Sequence, residues 1–311
     1  MQKVQGDIVL KVMSVIFLFI DGVGLGDGNG TNPFIKQTYR GFSAMAGDQP
    51  FTQDATTFTN NGHTFNSVDA CLDVEGLPQS GTGQAALFSG ENAPNTIGKH
   101  FGPFPHSGTK HLLNEQSLFL KAQQMDKQCR FINAYPDIFF QKAQQRNRWT
   151  CTTLMTKSAD IPLNTTQEVK NEEALTAELT QQAWRDQLDI EVPQISPEQA
   201  ADRLISQAGQ NDLLLHEYYL TDKAGHSQEL ARADKYLQTY DRFLWQLINH
   251  KTSDMTIVLS SDHGNIEDLS LKTHTFNPVP LFAYGPGAHN FDDAQSIMDV
   301  TPGILKTLAE N

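Results

Sequence analysis

The chain has little cysteine. Cys71, Cys129 and Cys151 are the three present, an odd number with no C-x-x-C pair. This argues against a disulfide framework and against a zinc–thiolate site, and it suits a reducing compartment, so the expected localisation is cytoplasmic. Positive charge is short as well. Lys plus Arg number 23 against 36 Asp plus Glu in 311 residues, a formal net charge of -13. A surface of that sign repels nucleic acid and anionic membranes, and neither is an expected partner. An acidic protein that handles phosphates needs local positive charge, and bound metal ions are one source.

Apolar runs of bilayer length are missing too. The run at residues 8–20, with Lys3 and Lys11 nearby, competes with a secretory signal but is too short to span a membrane as a helix. No small-residue cleavage site follows it, and it leads straight into Asp21-Gly22-Val23-Gly24. Residues 15–20 read as the first central strand, and Met13 stands as an alternative start to Met1. The glycine-rich loop 22–30 has neither the dinucleotide-binding spacing nor the Lys-Ser/Thr ending of a phosphate-cradling loop. No internal repeat or low-complexity tract occurs.

What is present centres on residues 256–282. An apolar, β-branched run at 256–259 reads as a buried strand. It ends in Ser-Ser and then Asp262-His263-Gly264, with His274 eleven residues beyond His263. A carboxylate and an imidazole at a strand's C-terminal end, with a second imidazole on a following loop, is how an α/β sheet presents metal ligands. Asp-Gly and Asp-His-Gly also make ordinary turns. Two further predicted strands end in acid. Strand 15–20 leads into Asp21, and strand 212–220 leads into Asp222, with His226 four residues on. On a helical turn, Asp222 and His226 share a face.

Ser80 stands in a loop feeding a short helix, where free N–H groups and the helix dipole favour an anion. It reads as a nucleophile for phosphate or as a plain helix cap. Helices are expected at 115–128, 172–188, 196–208 and 230–249, the third opened by a Ser-Pro-Glu-Gln capping box, and a last one begins near Asp299. Residues 130–134 read as a strand. Alternating strands and helices imply a three-layer α/β/α fold around a mostly parallel sheet. Residues 1–311 are expected to form a single domain, with 136–195 as a small insertion or cap.

Parallel strands bring their acid ends to one edge. Asp21, Asp222, Asp262, His226, His263, His274 and Ser80 then supply donors for two divalent ions plus an activated hydroxyl. Mn or Zn suits such a set, with Mg also compatible. These residues carry a resemblance to the alkaline phosphatase superfamily, closest to its branch of cofactor-independent phosphoglycerate mutases and phosphopentomutases. The matching stretches are FIDGVG at Asp21, LPQSGTGQAALFSG at Ser80, TDKAGH at Asp222, SSDHGN at Asp262 and HTFNPVPL at His274, in the family's order. The resemblance implies that Asp21, Ser80, Asp262 and His263 surround one ion, and that Asp222, His226 and His274 surround the other. It also implies that Ser80 rather than Thr82 is the nucleophile, since Ser80 precedes Gly90 by ten residues as in the family motif.

Two departures bear on function. Gln84 stands where the mutase motif has a histidine, and the stretch available for a substrate-holding domain is only 136–195. A mutase must exclude water while its phosphoryl group returns to a second hydroxyl. The expectation is therefore a two-metal phosphohydrolase on a small phosphate ester, through a phosphoserine at Ser80. The alternatives are a phosphomutase or phosphotransferase on a sugar or glycerate phosphate, and a noncatalytic metal- or phosphate-binding protein. Neither Cys71 nor Ser80 has the C/S-x-P-x-R context of sulfatases. Substrate contacts are sought at Thr82, Gln84, Lys223, Arg146 and Arg148, with Lys99, His100 and His106 as further basic groups, and Asn265 and Glu267 as supports for the ligands.

Overall fold

The computed structural model describes residues 14–310; the alternative starts at Met1 and Met13 lie outside them. The sheet has seven strands in the order β2-β3-β7-β6-β1-β5-β4. In chain order these are β1 (Ser14–Ile20), β2 (Phe58–Asn60), β3 (His63–Val68), β4 (Cys129–Phe131), β5 (Leu213–Tyr218), β6 (Met255–Ser260) and β7 (Val279–Tyr284). β4, β5, β1 and β6 pair in parallel. β7 runs antiparallel between β6 and β3, and β2 closes the edge as a hairpin with β3. Five of the seven strands thus point the same way, and the sheet is mixed but mostly parallel.

β1 explains the layering. All seven of its residues are buried. Ile16, Leu18 and Ile20 enter one apolar core, while Val15, Phe17 and Phe19 enter the other. A strand covered on both faces reads as an unbroken apolar run, which is what SVIFLFI is. On the first face pack helices Arg40–Met45, Pro197–Ala208 and Leu230–His250. On the second pack Ser80–Ser89, Lys110–Glu115, Leu118–Gln123, Cys151–Ser158 and Val300–Ala309. This is the three-layer α/β/α arrangement.

Helix Ser80–Ser89 is buried along its whole length, so it has no solvent-exposed face. Phe88 pins it to the sheet, meeting Phe17 and Phe19 edge-on at 6.1 and 5.3 Å. Burying such a ring contributes roughly 2 kcal/mol. Its two internal glycines allow close approach. A Cβ at Gly81 would collide with the Phe104 carbonyl, and one at Gly83 would lie 2.7 Å from the Asp262 carbonyl oxygen.

Several sequence expectations need correction. The helix expected over 172–188 is confined to Gln182–Leu188. Glu172, Leu179 and Gln181 have φ of 63°, 69° and 64°, and Leu175 instead exchanges hydrogen bonds with Ile132 and Ala134 beyond β4. An apolar pattern there serves a sheet edge rather than a helix face. The strand expected at 130–134 ends at Phe131, and Asn133 and Ala134 make only isolated bridges. Of the helix expected at 115–128 only Leu118–Gln123 forms one, and Glu115 instead ends a preceding helix, Lys110–Glu115. β5 stops at Tyr218, because Leu220 already opens the helix that carries Asp222. Residues 35–70 contain β2 and β3, a local hairpin whose β3 pairs with the distant β7. Helix 197–208 starts with both reciprocal bonds of its capping box.

Candidate active site and metal centre

β5, β1 and β6 are adjacent and parallel, so their C-terminal ends form one edge. Asp21 directly follows β1, Asp262 follows β6 by two residues, and Asp222 lies in the first turn of helix Leu220–Ser227 after β5. The loop after Asp262 places His263, and the chain returning into β7 places His274. Ser80 is the first residue of its helix.

The seven residues form one connected network. Ser80 Oγ lies 3.0 Å from His263 Nε2. The same nitrogen is 3.5 Å from Asp21 Oδ1 and 3.5 Å from Asp262 Oδ2. His274 Nε2 is 3.6 Å from Asp222 Oδ1, and His226 Nε2 is 3.4 Å from Asp222 Oδ2. The His263 and His274 rings stack at 3.7 Å. Two triads each bring their donor atoms within 4.8 Å of one another: Asp21, Asp262 and His263, and Asp222, His263 and His274. His263 thus stands between the two groups, and His226 sits at the outer rim, 42% exposed.

The donors fit divalent cations. Nδ1 of His274 faces the Pro78 carbonyl at 2.6 Å, Nδ1 of His226 faces the Lys272 carbonyl at 2.7 Å, and Nδ1 of His263 faces the Gly264 carbonyl more loosely at 3.4 Å. A carbonyl only accepts, so each Nδ1 carries the proton and each Nε2 turns its lone pair toward the acids. Burial lowers the pKa of His263 and His274, keeping them in the neutral form that ligates metals. Burial raises both Asp21 and Asp262 above the usual carboxylate range, and the charge of Asp262 adds to the rise at Asp21. Asp21 Oδ1 is buried without a hydrogen-bond partner. Packed carboxylates with an orphan oxygen and aligned imidazole lone pairs are what a cation would satisfy.

The supporting shell is dense. Asn265 donates to Asp222 Oδ1 at 2.7 Å. Glu267 accepts from the N–H groups of Gly24 and Asn265 at 2.9 and 2.8 Å, and also binds Thr275 and Asn277. Ser261 Oγ takes the Val23 N–H at 3.0 Å.

The candidate substrate residues fall in different places. Gln84 is buried with its amide between Asp21 and Asp262. Thr82 is buried, and its hydroxyl holds the Phe101 backbone against the Ser80 helix. Lys223 lies over the Tyr219 ring at 4.4 Å. Arg146 is exposed at the end of helix Asp137–Arg146. Arg148 is exposed with its guanidinium 3.9 Å from the Phe104 ring, and the Phe104 carbonyl packs on Gly81, next to Ser80. His100 bonds the Cys71 and Val74 carbonyls, and His106 accepts from the Gly108 N–H.

Sequence reasoning missed Glu217. It ends the apolar run of β5, pairs in register with Phe19, and accepts from Thr152 Oγ1 at 2.8 Å. Burial pushes its pKa up to about 7, and its charge adds to the rise at Asp21. A lone carboxylate inside an otherwise apolar strand was the available signal.

A mostly parallel α/β/α sheet gathers acids and imidazoles at its carboxyl edge, an arrangement able to hold divalent cations. Residues 184–310 match the model of the Metalloenzyme superfamily, a stretch that carries Asp222, His226, Asp262, His263 and His274. The chain is 31% identical over 124 residues to the 2,3-bisphosphoglycerate-independent phosphoglycerate mutase of Desulforudis audaxviator (strain MP104C). That match covers 37% of this chain and 24% of the relative, so the chain matches only about a quarter of the relative's length. In fold it is similar to the PH0037 protein from Pyrococcus horikoshii, with a TM-score of 0.58 and 11% identity over 96% of this chain and 97% of that one. It is also similar to alkaline phosphatase from the Antarctic bacterium TAB5, with a TM-score of 0.57 and 12% identity over 96% and 98% of the two chains. The chain thus carries a match to the Metalloenzyme superfamily over residues 184–310 and has an alkaline phosphatase-like fold. Among the described residues, no helix is long and apolar enough to cross a membrane.

Proposed function

We propose that this protein is a two-metal phosphohydrolase acting on a small phosphate ester, with Ser80 as nucleophile. The observation that carries the reading is Ser80 Oγ held 3.0 Å from His263 Nε2, at the start of a buried helix and beside two acid–imidazole triads. Asp21, Ser80, Asp262 and His263 would hold one ion, and Asp222, His226 and His274 the other. Bound Mn or Zn supplies Lewis acidity, lowering the pKa of a coordinated hydroxyl and offsetting charge on the transferring phosphoryl group.

The chain's own residues do the rest. Ser80 and Gly81 are the first helical residues, so their N–H groups have no intrahelical acceptor and can receive phosphoryl oxygens. Ser80 Oγ attacks phosphorus, the ester oxygen leaves, and a phosphoserine forms. Water then opens the phosphoserine, restoring Ser80 and releasing phosphate. Arg148, tethered through Phe104 to the Gly81 backbone, is assigned to an anionic group of the substrate. We take residues 136–195 as a small cap on a single metalloenzyme unit. A cap of that size supports hydrolysis over retention of an intermediate.

A second reading, phosphoryl return to another hydroxyl of the same substrate, is favoured by the similarity to phosphoglycerate mutases. One experiment separates the two. The purified protein is analysed for metal, then assayed on an aryl phosphate monoester and diester with Mn and Zn, beside Ser80→Ala. Metal-dependent release of phosphate or alcohol that is lost in the variant is the expected result. Two bound ions without turnover move the assignment to a transferase and to sugar-phosphate pairs. No stoichiometric metal under any loading condition overturns the two-metal site.

A further inference from the structure

We propose that Gln84 is a positioning residue that sets how the ion nearer Ser80 is held, and thereby which ions the site prefers. The inference rests on the two-ion reading above. Gln84 lies one turn after Ser80 on the same buried helix, so both side chains leave a common face. It is only 4% exposed. Its Nε2 donates to Asp21 Oδ2 at 3.3 Å and to Asp262 Oδ2 at 3.0 Å. An amide nitrogen carries two hydrogens, and one for each carboxylate uses both.

The oxygens are thereby sorted. Asp21 Oδ2 is occupied by Gln84, which leaves Oδ1, the buried oxygen without a partner, facing His263 Nε2. Asp262 Oδ1 accepts the Gly22 N–H at 3.3 Å, which leaves Oδ2, steadied by Gln84, facing the same imidazole. Asp21 therefore turns its unbonded Oδ1 to the site, and Asp262 presents Oδ2, held in place by Gln84, while the Gly22 N–H holds Oδ1 away. Together with His263 Nε2 and Ser80 Oγ this is a set of four single-atom donors. Such a set suits Zn or Mn, whereas Ca takes six to eight oxygens and commonly binds carboxylates through both.

The residue type matters as well as its place. Glutamate at this position would add a third negative charge to the pair. Histidine, which the mutase motif has here, can turn one N–H toward the pair rather than two. Methionine would keep the length and bulk of Gln84 and remove both donors. Asp21 would then be free to rotate and to bind through two oxygens, and Asp262 Oδ2 would lose its support while the Gly22 N–H still holds Oδ1.

The test is calorimetric titration of metal-stripped wild type, Gln84→Met and Gln84→His with Zn, Mn and Ca, each ion alone. Wild type is expected to bind two Zn. Gln84→Met should lose about 10- to 100-fold in Zn affinity at one of the two sites. Its affinity for Ca should fall less or rise, so that the Zn-to-Ca preference drops at least tenfold. Gln84→His should fall between the two. A Gln84→Met protein that folds, binds both Zn ions as wild type does and keeps the Zn-to-Ca ratio overturns the inference while the two-ion reading stands. Should Gln84→Met fail to fold, Gln84→His decides: an unchanged Zn-to-Ca ratio overturns the inference. Wild type that binds no ion overturns both.

Discussion

The Glu267 carboxylate accepts the N–H of Gly24 at 2.9 Å, tying the loop after β6 to the loop after β1 across 243 positions of sequence. Glu267 is 1% exposed, and Gly24 leaves no room for a side chain, since a Cβ there would collide with Glu267 Oε1. The carboxylate thus acts as a staple beneath the two loops that carry Asp21 and Asp262.

Removing that staple should cost both stability and metal. Glu267→Ala strands the N–H groups of Gly24 and Asn265 and the side chains of Thr275 and Asn277. A loss of about 3 kcal/mol or more is expected in urea unfolding, since buried bonds to a charged group are worth about 1.5–3 kcal/mol each. Metal affinity should fall in parallel. Wild-type stability in the variant would refute the staple.

Divalent ions should stabilise the fold. Asp21, Asp222 and Asp262 crowd one another, and the charge of Asp222 and Asp262 raises Asp21. Zn or Mn at a hundred times its dissociation constant adds about 2.7 kcal/mol per site. The measurement is thermal unfolding with metal and after chelation. A Tm that ignores both would count against a folded-state metal site.

His216 makes the fold acid-sensitive. It sits fully buried in β5 beside Phe243, and burial drives its pKa down to about 3. Its ring nitrogens lack a partner in normal hydrogen-bond geometry among the described residues, and the nearby Thr176 backbone only weakens the shift. The folded-state pKa is below the unfolded value near 6.5, so the unfolded chain takes the proton first. This contribution to stability is complete above about pH 6.5 and declines toward pH 3, by about 1.4 kcal/mol per pH unit. His216→Leu should flatten urea midpoints measured between pH 6.5 and 4.5. An identical pH slope in the variant would exclude His216 as its source.

Asp241 caps helix Arg40–Met45 from a distance. Its Oδ1 accepts from Gly41 and Phe42 at 2.7 and 3.1 Å, and its Oδ2 accepts from Arg40 at 3.1 Å. Asp241→Ala should cost about 2 kcal/mol, and Asp241→Asn less, because one acceptor oxygen remains. Neither should change metal stoichiometry, which native mass spectrometry can check.

Arg148 should report on substrate alone. Arg148→Met is expected to raise KM for a phosphate ester about 10- to 100-fold, the worth of one charge-assisted hydrogen bond. Tm and metal content should stay at wild-type values. An unchanged KM across monoesters and diesters would remove Arg148 from the site.

Much of the frame was legible because its signals are local. The buried strands β1, β5 and β6 announce themselves by their apolar runs, and the acids that follow them sit one to four residues past each strand. The antiparallel edge was not legible, because β2 is only three residues long, β3 is largely polar, and β3 is fixed in the sheet by β7, far away in sequence. Residues 172–181 misled for the same reason: Leu175 and Leu179 are buried, but against a sheet edge rather than along a helix.

The sequence by itself determined which donors exist and in what order they come: three aspartates, three histidines and a serine, each attached to its own strand or helix end. Residue type and local pattern suffice for that. Only the tertiary structure decided how they share space. It placed His263 between the two acid groups, set His226 at the rim, brought Glu217 beneath Asp21, and slid the Gln84 amide between two carboxylates 241 positions apart in the chain. Those relationships depend on the order of strands in the sheet and on the glycines that let one helix press against it. Neither is written in any single stretch of the chain.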